Sequence, residues 1–295
     1  MNTRILAADF EYFVPKTIQE SIEMLNRYGA EAKPLAGGTD LLVQMKKEVL
    51  SPRYLIDLGK IPEMSFIRMD DGWLKIGAAT KWSEILTFCA GHRKYGALYD
   101  AVSSLAKGQV RNMGTIGGNL CTASPAADSA PPLLVFDGRV KLDGSKGERL
   151  VGLEDFFVGV NQTVMAPNEI MTEVQIPPVK DETGSAFTKT TRVGADISKI
   201  SCAVFVERQG DICTECRIAM GAAAPVPLRV KAASKIIEGK KVGPSVVQEV
   251  AHHAAGEIKP IDDIRSTAAY RRGVSAVLVR DVFWKAWHQA EGGAL

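Results

Sequence analysis

Pro34-Leu35-Ala36-Gly37-Gly38-Thr39-Asp40-Leu41 is a short apolar strand that runs into a glycine pair and then into a predicted helix. Glycine lacks Cβ, so the backbone of such a turn can approach an anion closely and adopt positive φ. Successive N–H groups can then point inward, and the start of the following helix adds the positive end of its dipole. A diphosphate suits this turn best, although a glycine pair can also serve only to reverse the chain.

A second glycine turn, Gly114-Thr115-Ile116-Gly117-Gly118-Asn119-Leu120, follows the same logic. Thr115 and Asn119 could donate side-chain hydrogen bonds to phosphate or ribityl oxygens. Downstream, Asp128 offers a carboxylate for ribose hydroxyls or, alternatively, an N-cap for a helix over 133–136. Neither turn continues as a Walker loop, and neither matches the G-x-G-x-x-G of a dinucleotide-binding Rossmann unit. Because residues 106–132 are rich in Gly and Pro, they are predicted to form one long functional loop.

The overall composition excludes several classes of protein. Of 295 residues, 46% are hydrophobic and 24% charged, which is ordinary for a globular protein. A net charge of +2 gives no reason to expect a nucleic-acid partner. No run of about 18 apolar residues could span a bilayer. The N-terminal stretch Ile5-Leu6-Ala7-Ala8 is too short for a signal peptide, so we expect a cytoplasmic protein.

The cysteines do not form a metal site by themselves. Five are present, and only Cys213 and Cys216 make a C-x-x-C pair. A tetrahedral zinc or iron–sulfur site needs four ligands, and no second pair supplies them. We expect a structural role for the pair within a strand over 212–220. A redox disulfide and a cluster completed by another chain are the alternatives.

The hydrophobic pattern predicts two mixed α and β parts. A capping box, Thr17 to Glu20, starts a helix that Gly29 ends. Strands are predicted at 32–35, 54–58, 64–69, 73–78, 139–142, 149–151, 170–176, 201–208 and 213–220. Helices are predicted at 41–47, 82–89, 97–105, 231–238, 245–257 and 266–289. Pro177-Pro178 and the polar residues after it mark the main domain boundary. In the second part strands come first and helices after, which is typical of an α+β domain.

An ordered set of segments carries a family resemblance. Besides the two glycine turns, it comprises Phe13-Val14-Pro15, Gln109-Val110-Arg111-Asn112, Ser124-Pro125-Ala126-Ala127-Asp128, Asp155-Phe156-Phe157, Glu169-Ile170, Ser185-Ala186-Phe187 and Arg217-Ile218-Ala219-Met220-Gly221. From about residue 9 to residue 285, the chain resembles the FAD-binding medium subunit of the xanthine dehydrogenase and carbon monoxide dehydrogenase family.

The resemblance implies an α+β fold in two domains. A two-part FAD-binding domain of the PCMH type (vanillyl-alcohol-oxidase-like) is expected over 1–178, with subdomains of about 1–58 and 59–178. A smaller α+β domain of the carbon monoxide dehydrogenase flavoprotein C-terminal type is expected over 179–295.

The resemblance also implies which residues bind FAD. They are Leu35, Ala36, Gly37, Gly38, Thr39, Asp40 and Leu41 in the first turn, Thr115, Ile116, Gly117, Gly118 and Asn119 in the second, and Ala106, Asp128, Met171 and Lys189 elsewhere. Core packing is the alternative for Ala106 and Met171, and a solvated strand lysine is the alternative for Lys189.

Two departures from related families bear on the cofactors. The histidine that attaches flavin covalently in related oxidases has no counterpart, since His92, His252, His253 and His288 fall outside both glycine turns. We therefore expect non-covalent FAD. Some members carry a cysteine-rich insertion for an extra iron–sulfur cluster, but Cys121 stands alone at that place, so no such cluster is predicted.

The function implied by the resemblance is electron transfer within a molybdenum hydroxylase. A molybdopterin large subunit would oxidise the substrate, and an iron–sulfur small subunit with [2Fe-2S] clusters would relay electrons to FAD, in a dimer of heterotrimers. FAD would pass them to NAD, a quinone or another acceptor. The hard chemistry belongs to the cofactor, so no catalytic side chain is predicted. The alternatives are a stand-alone FAD-dependent oxidoreductase and a nucleotide-binding scaffold without redox turnover.

Overall fold

The computed structural model describes residue 6 and residues 9–292. Apart from Leu6, the N-terminal stretch considered above as a signal peptide lies outside these residues. The strands are β1 (Glu11–Phe13), β2 (Ala32–Leu35), β3 (Tyr54–Asp57), β4 (Ile67–Asp70), β5 (Trp73–Gly77), β6 (Arg139–Gly144), β7 (Gly147–Gly152), β8 (Phe157–Gly159), β9 (Gln162–Thr163), β10 (Ile170–Ile176), β11 (Thr183–Thr190), β12 (Ile200–Gln209), β13 (Ile212–Gly221), β14 (Leu228–Arg229) and β15 (Lys240–Lys241).

The α-helices alternate with these strands at first and dominate the C-terminal end. They are α1 (Ile18–Tyr28), α2 (Leu41–Lys46), α3 (Trp82–Ala90), α4 (Gly96–Ser104), α5 (Gly108–Arg111), α6 (Ile116–Thr122), α7 (Ala130–Val135), α8 (Leu153–Phe156), α9 (Lys231–Ile237), α10 (Pro244–Glu257) and α11 (Ala268–Ala290). None of the described helices is long and apolar enough to cross a lipid bilayer. The mixed α and β fold predicted from the sequence is confirmed.

The first sheet places the first glycine turn. It is parallel, with strand order β1-β3-β2. Helix α1 connects β1 to β2; the Thr17 side chain accepts from Glu20 N at its start, and Gly29 ends it at φ 53°. Strand β2 stops at Leu35, so the glycine pair lies at the carboxyl end of a parallel strand, where open α/β sheets commonly bind ligands.

The second sheet contains Met171, one of the residues predicted to bind FAD. It is antiparallel, with strand order β4-β5-β10-β6-β7. Its β4–β5 hairpin turns through Asp71 and Gly72, both at positive φ, as the sequence predicted. The central strand β10 is buried along its whole length because it is paired on both edges and covered on both faces.

The third sheet belongs to the C-terminal part and is used on both faces. Strands β11 to β14 pair in sequence order, and β15 adds to β13. One face packs against α9, α10 and α11 in a core of its own. The opposite face contributes Phe187, Ala203, Phe205 and Ala219 to the core of the N-terminal part. At Gly184 strand β11 touches α11 directly, since a Cβ there would lie 1.9 Å from Ala286 O.

The expected long loop over 106–132 is wrong. Helices α5 and α6 and the start of α7 lie there, and Ile116, Leu120 and Ala130 are fully buried. The second glycine turn is the first turn of α6, with Thr115 as its N-cap. Small residues fit because this helix lies against a backbone: a Cβ on Gly117 would be 2.7 Å from Ala78 O. The eight-residue strand β11 was also not predicted, nor were β1 and the short strands β8, β9, β14 and β15. The β6–β7 turn comes after Gly144 instead of at Asp143-Gly144.

The C-x-x-C pair lies inside the C-terminal core. Cys213 and Cys216 are buried free thiols in β13, and Cys213 Sγ donates to Glu215 O at 3.2 Å. A register shift beside them, between the pairs of Glu207 and Arg208, brings both side chains to the inner face. Among the residues that the structure describes, no three His, Cys, Asp or Glu side chains group where they could hold a metal ion.

Candidate functional site

A cleft of about 530 Å³ opens where the two glycine turns meet. This volume is within the range of small-molecule sites. Most of the residues predicted from the sequence line it: Ala36, Gly37, Gly38, Thr39, Asp40, Leu41, Ala106, Thr115, Gly117, Gly118, Asn119, Asp128 and Met171. Leu35, Ile116 and Lys189 do not line the cleft. Leu35 and Ile116 are buried next to lining residues, and Lys189 reaches one of them through an ion pair.

The two turns are in backbone contact. A Cβ on Gly37 would lie 2.0 Å from Met113 O, so only glycine allows the first turn to press against the residue before the second. Thr122 Oγ1 donates to Asp40 Oδ2 at 3.2 Å, which adds a side-chain link between the two. Gly38 adopts φ 68°, a left-handed conformation that glycine reaches without strain. The glycines therefore shape the wall of the cleft as well as its opening.

The turns differ in the N–H groups that they offer. In the second turn Ile116 N donates to Thr80 O, Gly117 N to Ala78 O, and Gly118 N to Thr115 Oγ1. The expectation that both turns present free N–H groups is therefore wrong for the second one, whose donors are used by the protein.

In the first turn the donors remain available. Within the described part of the chain, the N–H groups of Gly37, Gly38 and Thr39 donate to no protein acceptor. Such a row of unpaired N–H groups at the mouth of a cleft suits an anion such as a diphosphate. The second turn contributes a side chain instead: Asn119 Oδ1 accepts from Ser129 Oγ at 2.6 Å, which orients the amide and leaves its N–H donors for a ligand.

Asp128 and Lys189 form a buried ion pair at one end of the cleft. Lys189 Nζ donates to Asp128 Oδ2 at 2.5 Å and to Asp196 O at 3.2 Å. The lysine side chain is only 5% exposed, so it is not a solvated strand lysine. Nor is Asp128 the N-cap of α7, which is Ser129. Burial raises the pKa of Asp128 above its usual value, and the charge of Lys189 only partly opposes this.

One oxygen of this carboxylate is left for a ligand. Asp128 Oδ1 is buried and accepts no hydrogen bond from any described residue. A buried acceptor without a donor is costly, so native structures usually provide one. Because Asp128 lines the cleft, the missing donor can come from a bound molecule. A hydroxyl, such as that of a ribose, fits this position.

The other part of the cleft is apolar. Leu58, Met64, Trp82 and Leu105 form its buried floor. Ala106 and Met171 line the cleft and also pack with the core, so core packing, the alternative interpretation, does not keep them from the site. Apolar lining of this kind suits the hydrophobic or aromatic part of a ligand.

Several lining residues were missed by the sequence interpretation. Ala195, Asp196 and Ile197 reach the cleft from the loop between β11 and β12 of the C-terminal part. Glu169 lines it too, and its carboxylate accepts from Arg149 Nε at 2.7 Å and from Arg149 NH2 at 2.8 Å. These hydrogen bonds hold the pKa of Glu169 below its usual value. The segment Glu169-Ile170 belonged to the family resemblance, but Glu169 was not predicted as a site residue.

No nucleophile is activated in the cleft. The four histidines all lie in the described part of the chain, and none lines the cleft. Cys121 does line it, and its Sγ lies 3.6 Å from Met165 Sδ. Neighbouring protein atoms raise the pKa of the Cys121 thiol, although the side chain itself is exposed at the cleft.

Comparison with known proteins identifies the two parts. Residues 8–179 match the FAD binding domain in molybdopterin dehydrogenase, and residues 185–286 match the CO dehydrogenase flavoprotein C-terminal domain. The carbon monoxide dehydrogenase medium chain of Hydrogenophaga pseudoflava is 32% identical over 94% of this chain and 97% of its own length. The xanthine dehydrogenase FAD-binding subunit of Escherichia coli O157:H7 is 30% identical over 95% and 97%.

Solved structures agree in fold over nearly the whole chain. Carbon monoxide dehydrogenase from Hydrogenophaga pseudoflava superposes with a TM-score of 0.93 at 32% identity, over 96% of this chain and 99% of the other. Quinoline 2-oxidoreductase from Pseudomonas putida 86 gives 0.89 at 26% identity, over 95% and 98%. The two glycine turns, the cleft between them and the C-terminal domain are thus parts of one known architecture, and the chain belongs to the family of FAD-binding medium subunits of the carbon monoxide and xanthine dehydrogenases.

Proposed function

We propose that the cleft binds one FAD non-covalently through the residues predicted from the sequence. This proposal rests on two kinds of unused polar group in one cleft. The N–H groups of Gly37, Gly38 and Thr39 donate to no described residue, and the buried oxygen Oδ1 of Asp128 accepts from none. The N–H groups suit the diphosphate, and Asp128 suits a hydroxyl on the adenosine side. The apolar slot beside Met171 suits the flavin ring. Lys189 acts on the site through Asp128.

We further propose that the chain is an electron-transfer subunit and not a complete substrate-oxidising enzyme. Flavin takes up electrons singly or in pairs, so it suits a junction between one-electron iron–sulfur clusters and a two-electron acceptor. The electrons would come from [2Fe-2S] clusters of a small subunit, which a molybdopterin large subunit feeds, and would leave to NAD, a quinone or another acceptor. Support comes from relatives that are named medium chains or FAD-binding subunits of dehydrogenases.

The assembly, the compartment and the domain limits are part of the same proposal. We propose a dimer of heterotrimers in the cytoplasm, without nucleic acid. The FAD-binding domain would span 1–178, with subdomains of about 1–58 and 59–178, and the C-terminal domain would span 179–295. In this arrangement the cleft, with its lining from both domains, faces the partner that supplies electrons.

Two measurements on the full chain test the proposal. An absorbance scan of the purified protein should show flavin bands, and a colourless protein that does not take up added FAD would favour a nucleotide-binding scaffold. In stopped-flow experiments, purines, aldehydes and N-heterocycles should not bleach the flavin of the isolated chain. Adding both partner subunits should restore bleaching. Rapid bleaching without partners would identify a stand-alone oxidoreductase instead.

A further inference from the structure

The wall of the cleft contains an alanine in an unusual backbone conformation. Ala106 follows helix α4 and has φ 45°, in the left-handed region that residues with a Cβ rarely adopt. It lines the cleft directly. The residues just before Ala106 also need hydrogen-bond partners, because the last carbonyl groups of a helix have no partner within the helix. The turn therefore needs an outside group to hold both its conformation and its carbonyl oxygens.

Arg111 supplies that group. It is the last residue of α5, and its NH1 donates to Leu105 O at 2.8 Å and to Ala106 O at 2.9 Å. A longer contact of 3.4 Å reaches Ser103 O in the last turn of α4. A cation is favoured at the C-terminal end of a helix, where carbonyl groups and the helix dipole both attract it. Arg111 itself is not among the residues that line the cleft.

The same short helix leads into the second glycine turn. Gly114 N donates to Val110 O at 2.7 Å, and Gly114 O in turn accepts from Trp82 N. Val110, Gly114 and Thr115 all line the cleft. Arg111 thus joins the turn at Ala106 to the segment that presents Thr115. Two pieces of the cleft wall are held in register by one guanidinium group.

We propose that Arg111 is a positioning residue of the cofactor site, which acts by holding Ala106 in its left-handed conformation. This inference rests on the proposed binding of FAD in the cleft. It makes a specific demand: the need for Arg111 should depend on the Cβ of residue 106. Glycine adopts positive φ freely, so a chain with glycine at 106 should tolerate the loss of the arginine.

The test is a titration of the deflavinated full chain with FAD. Arg111→Met keeps the length of the side chain but removes the donors, and it should weaken FAD binding about tenfold, as expected for the loss of charged hydrogen bonds. Ala106→Gly alone is the reference for the double variant, because it removes the Cβ of a residue that lines the cleft. The double variant should recover most of the lost affinity. The visible circular dichroism of bound flavin should shift in Arg111→Met and return in the double variant.

Two controls separate positioning from general stability. Arg53→Met removes an exposed arginine that pairs with Glu31, neither of which lines the cleft, and it should leave FAD affinity unchanged. Ala222 is also left-handed, at φ 54°, but does not line the cleft. Combined with Arg111→Met, Ala222→Gly should not restore binding.

The outcomes distinguish the two proposals. Wild-type affinity in Arg111→Met, or equal recovery by Ala222→Gly and Ala106→Gly, would overturn the positioning role while FAD binding by the wild-type chain still stood. If the wild-type chain itself bound no FAD, the proposed function would fail first.

Discussion

Lys189 of strand β11 donates to Asp128 across the junction between the two halves of the chain, at 2.5 Å and almost fully shielded from solvent. The pair lies at the cleft, so a residue of the C-terminal half stabilises one wall of the cleft. Desolvation makes such pairs weak sources of stability, but removal of one partner leaves the other charge buried alone.

Lys189→Met should therefore be severely destabilising. We expect a loss of about 3–5 kcal/mol in the free energy of unfolding at neutral pH, together with loss of FAD, because the Asp128 carboxylate loses its partner. Urea unfolding and FAD titration measure the two effects. Burial already raises the pKa of Asp128. Without Lys189, whose charge opposes this effect, the pKa of Asp128 in the folded variant rises further, so the destabilisation should be complete above the variant's own pKa and should diminish as the pH falls from there towards 3.8.

Two matched variants check this explanation. Lys189→Met with Asp128→Asn should recover part of the stability, because no charge is then left unpaired. Lys180→Met breaks an exposed pair with Glu207 and should cost no more than about 1 kcal/mol. Equal losses in Lys189→Met and Lys180→Met would show that burial of the first pair is not the cause.

The two glycines of the first turn should respond differently to alanine. Gly37→Ala places a Cβ against the backbone of Met113, so the two turns must separate and FAD affinity should fall at least about tenfold. Gly38→Ala should cost roughly 1–2 kcal/mol through its positive φ. Its Cβ meets the side chain of Leu42, which can move.

Gly256→Ala is the control for this pair. Gly256 lies in α10 with open space around its Cα, and alanine there should stabilise the helix by up to about 1 kcal/mol without changing FAD affinity. Thermal unfolding and FAD titration of the three variants give the ranking. Normal FAD affinity in Gly37→Ala would show that the close contact between the two turns is not needed for FAD binding.

Flavin should leave the protein on denaturation. In the part of the chain that the structure describes, no histidine lines the cleft, so the residue type that attaches flavin covalently in related oxidases is missing there. Precipitation with acid should leave all the flavin in the supernatant as FAD, which chromatography identifies. Flavin fluorescence on the precipitated chain would show a covalent link and contradict this expectation.

The Arg149–Glu169 pair should make the free energy of unfolding depend on pH in the acid range. Hydrogen bonds from Arg149 keep the pKa of Glu169 below 4.5, so its contribution is complete above pH 4.5 and is lost as the pH falls through the lowered value. Glu169→Gln should cost about 1 kcal/mol at pH 7, a modest value because Arg149 is 44% exposed.

Unfolding of wild type and Glu169→Gln between pH 7 and pH 3 measures this contribution. The difference between the two should shrink once Glu169 is protonated in the wild type. Glu31→Gln, which breaks an exposed pair with Arg53, should show almost no difference at any pH. A constant difference for Glu169→Gln would assign its effect to packing instead of charge.

Local patterns were sufficient to predict much of the fold. Strands β2 and β10 begin and end at the predicted residues, because apolar runs there are bounded by glycine or proline. The sequence failed over 106–132, where helices form from residues with little side-chain surface. Their stability comes from contacts such as Gly117 against Ala78, which are distant along the chain and leave no periodic pattern.

The site was predictable only where the family motif is continuous. The glycine turns and Asp128 belong to such motifs, and they line the cleft together. Arg111 was quoted as part of a motif, but its hydrogen bonds to the turn at Ala106 depend on helix α5, which the pattern did not predict. Ala195 reaches the cleft only because β11 and β12 pair, so no local signal could place it.

The third sheet contributes side chains to both hydrophobic cores, and this limits how the protein can be split into separately folding parts. Phe187 and Phe205 are buried in the core of the N-terminal half, where the Phe205 ring meets that of Phe136 at 6.0 Å. Separate expression of either half would expose these rings to water and invite aggregation. Although the sequence shows a clear proline-marked boundary, heating should therefore melt both halves in one cooperative transition. Splitting of the gene at this junction would be disfavoured in evolution, because each product would expose part of its hydrophobic core to water.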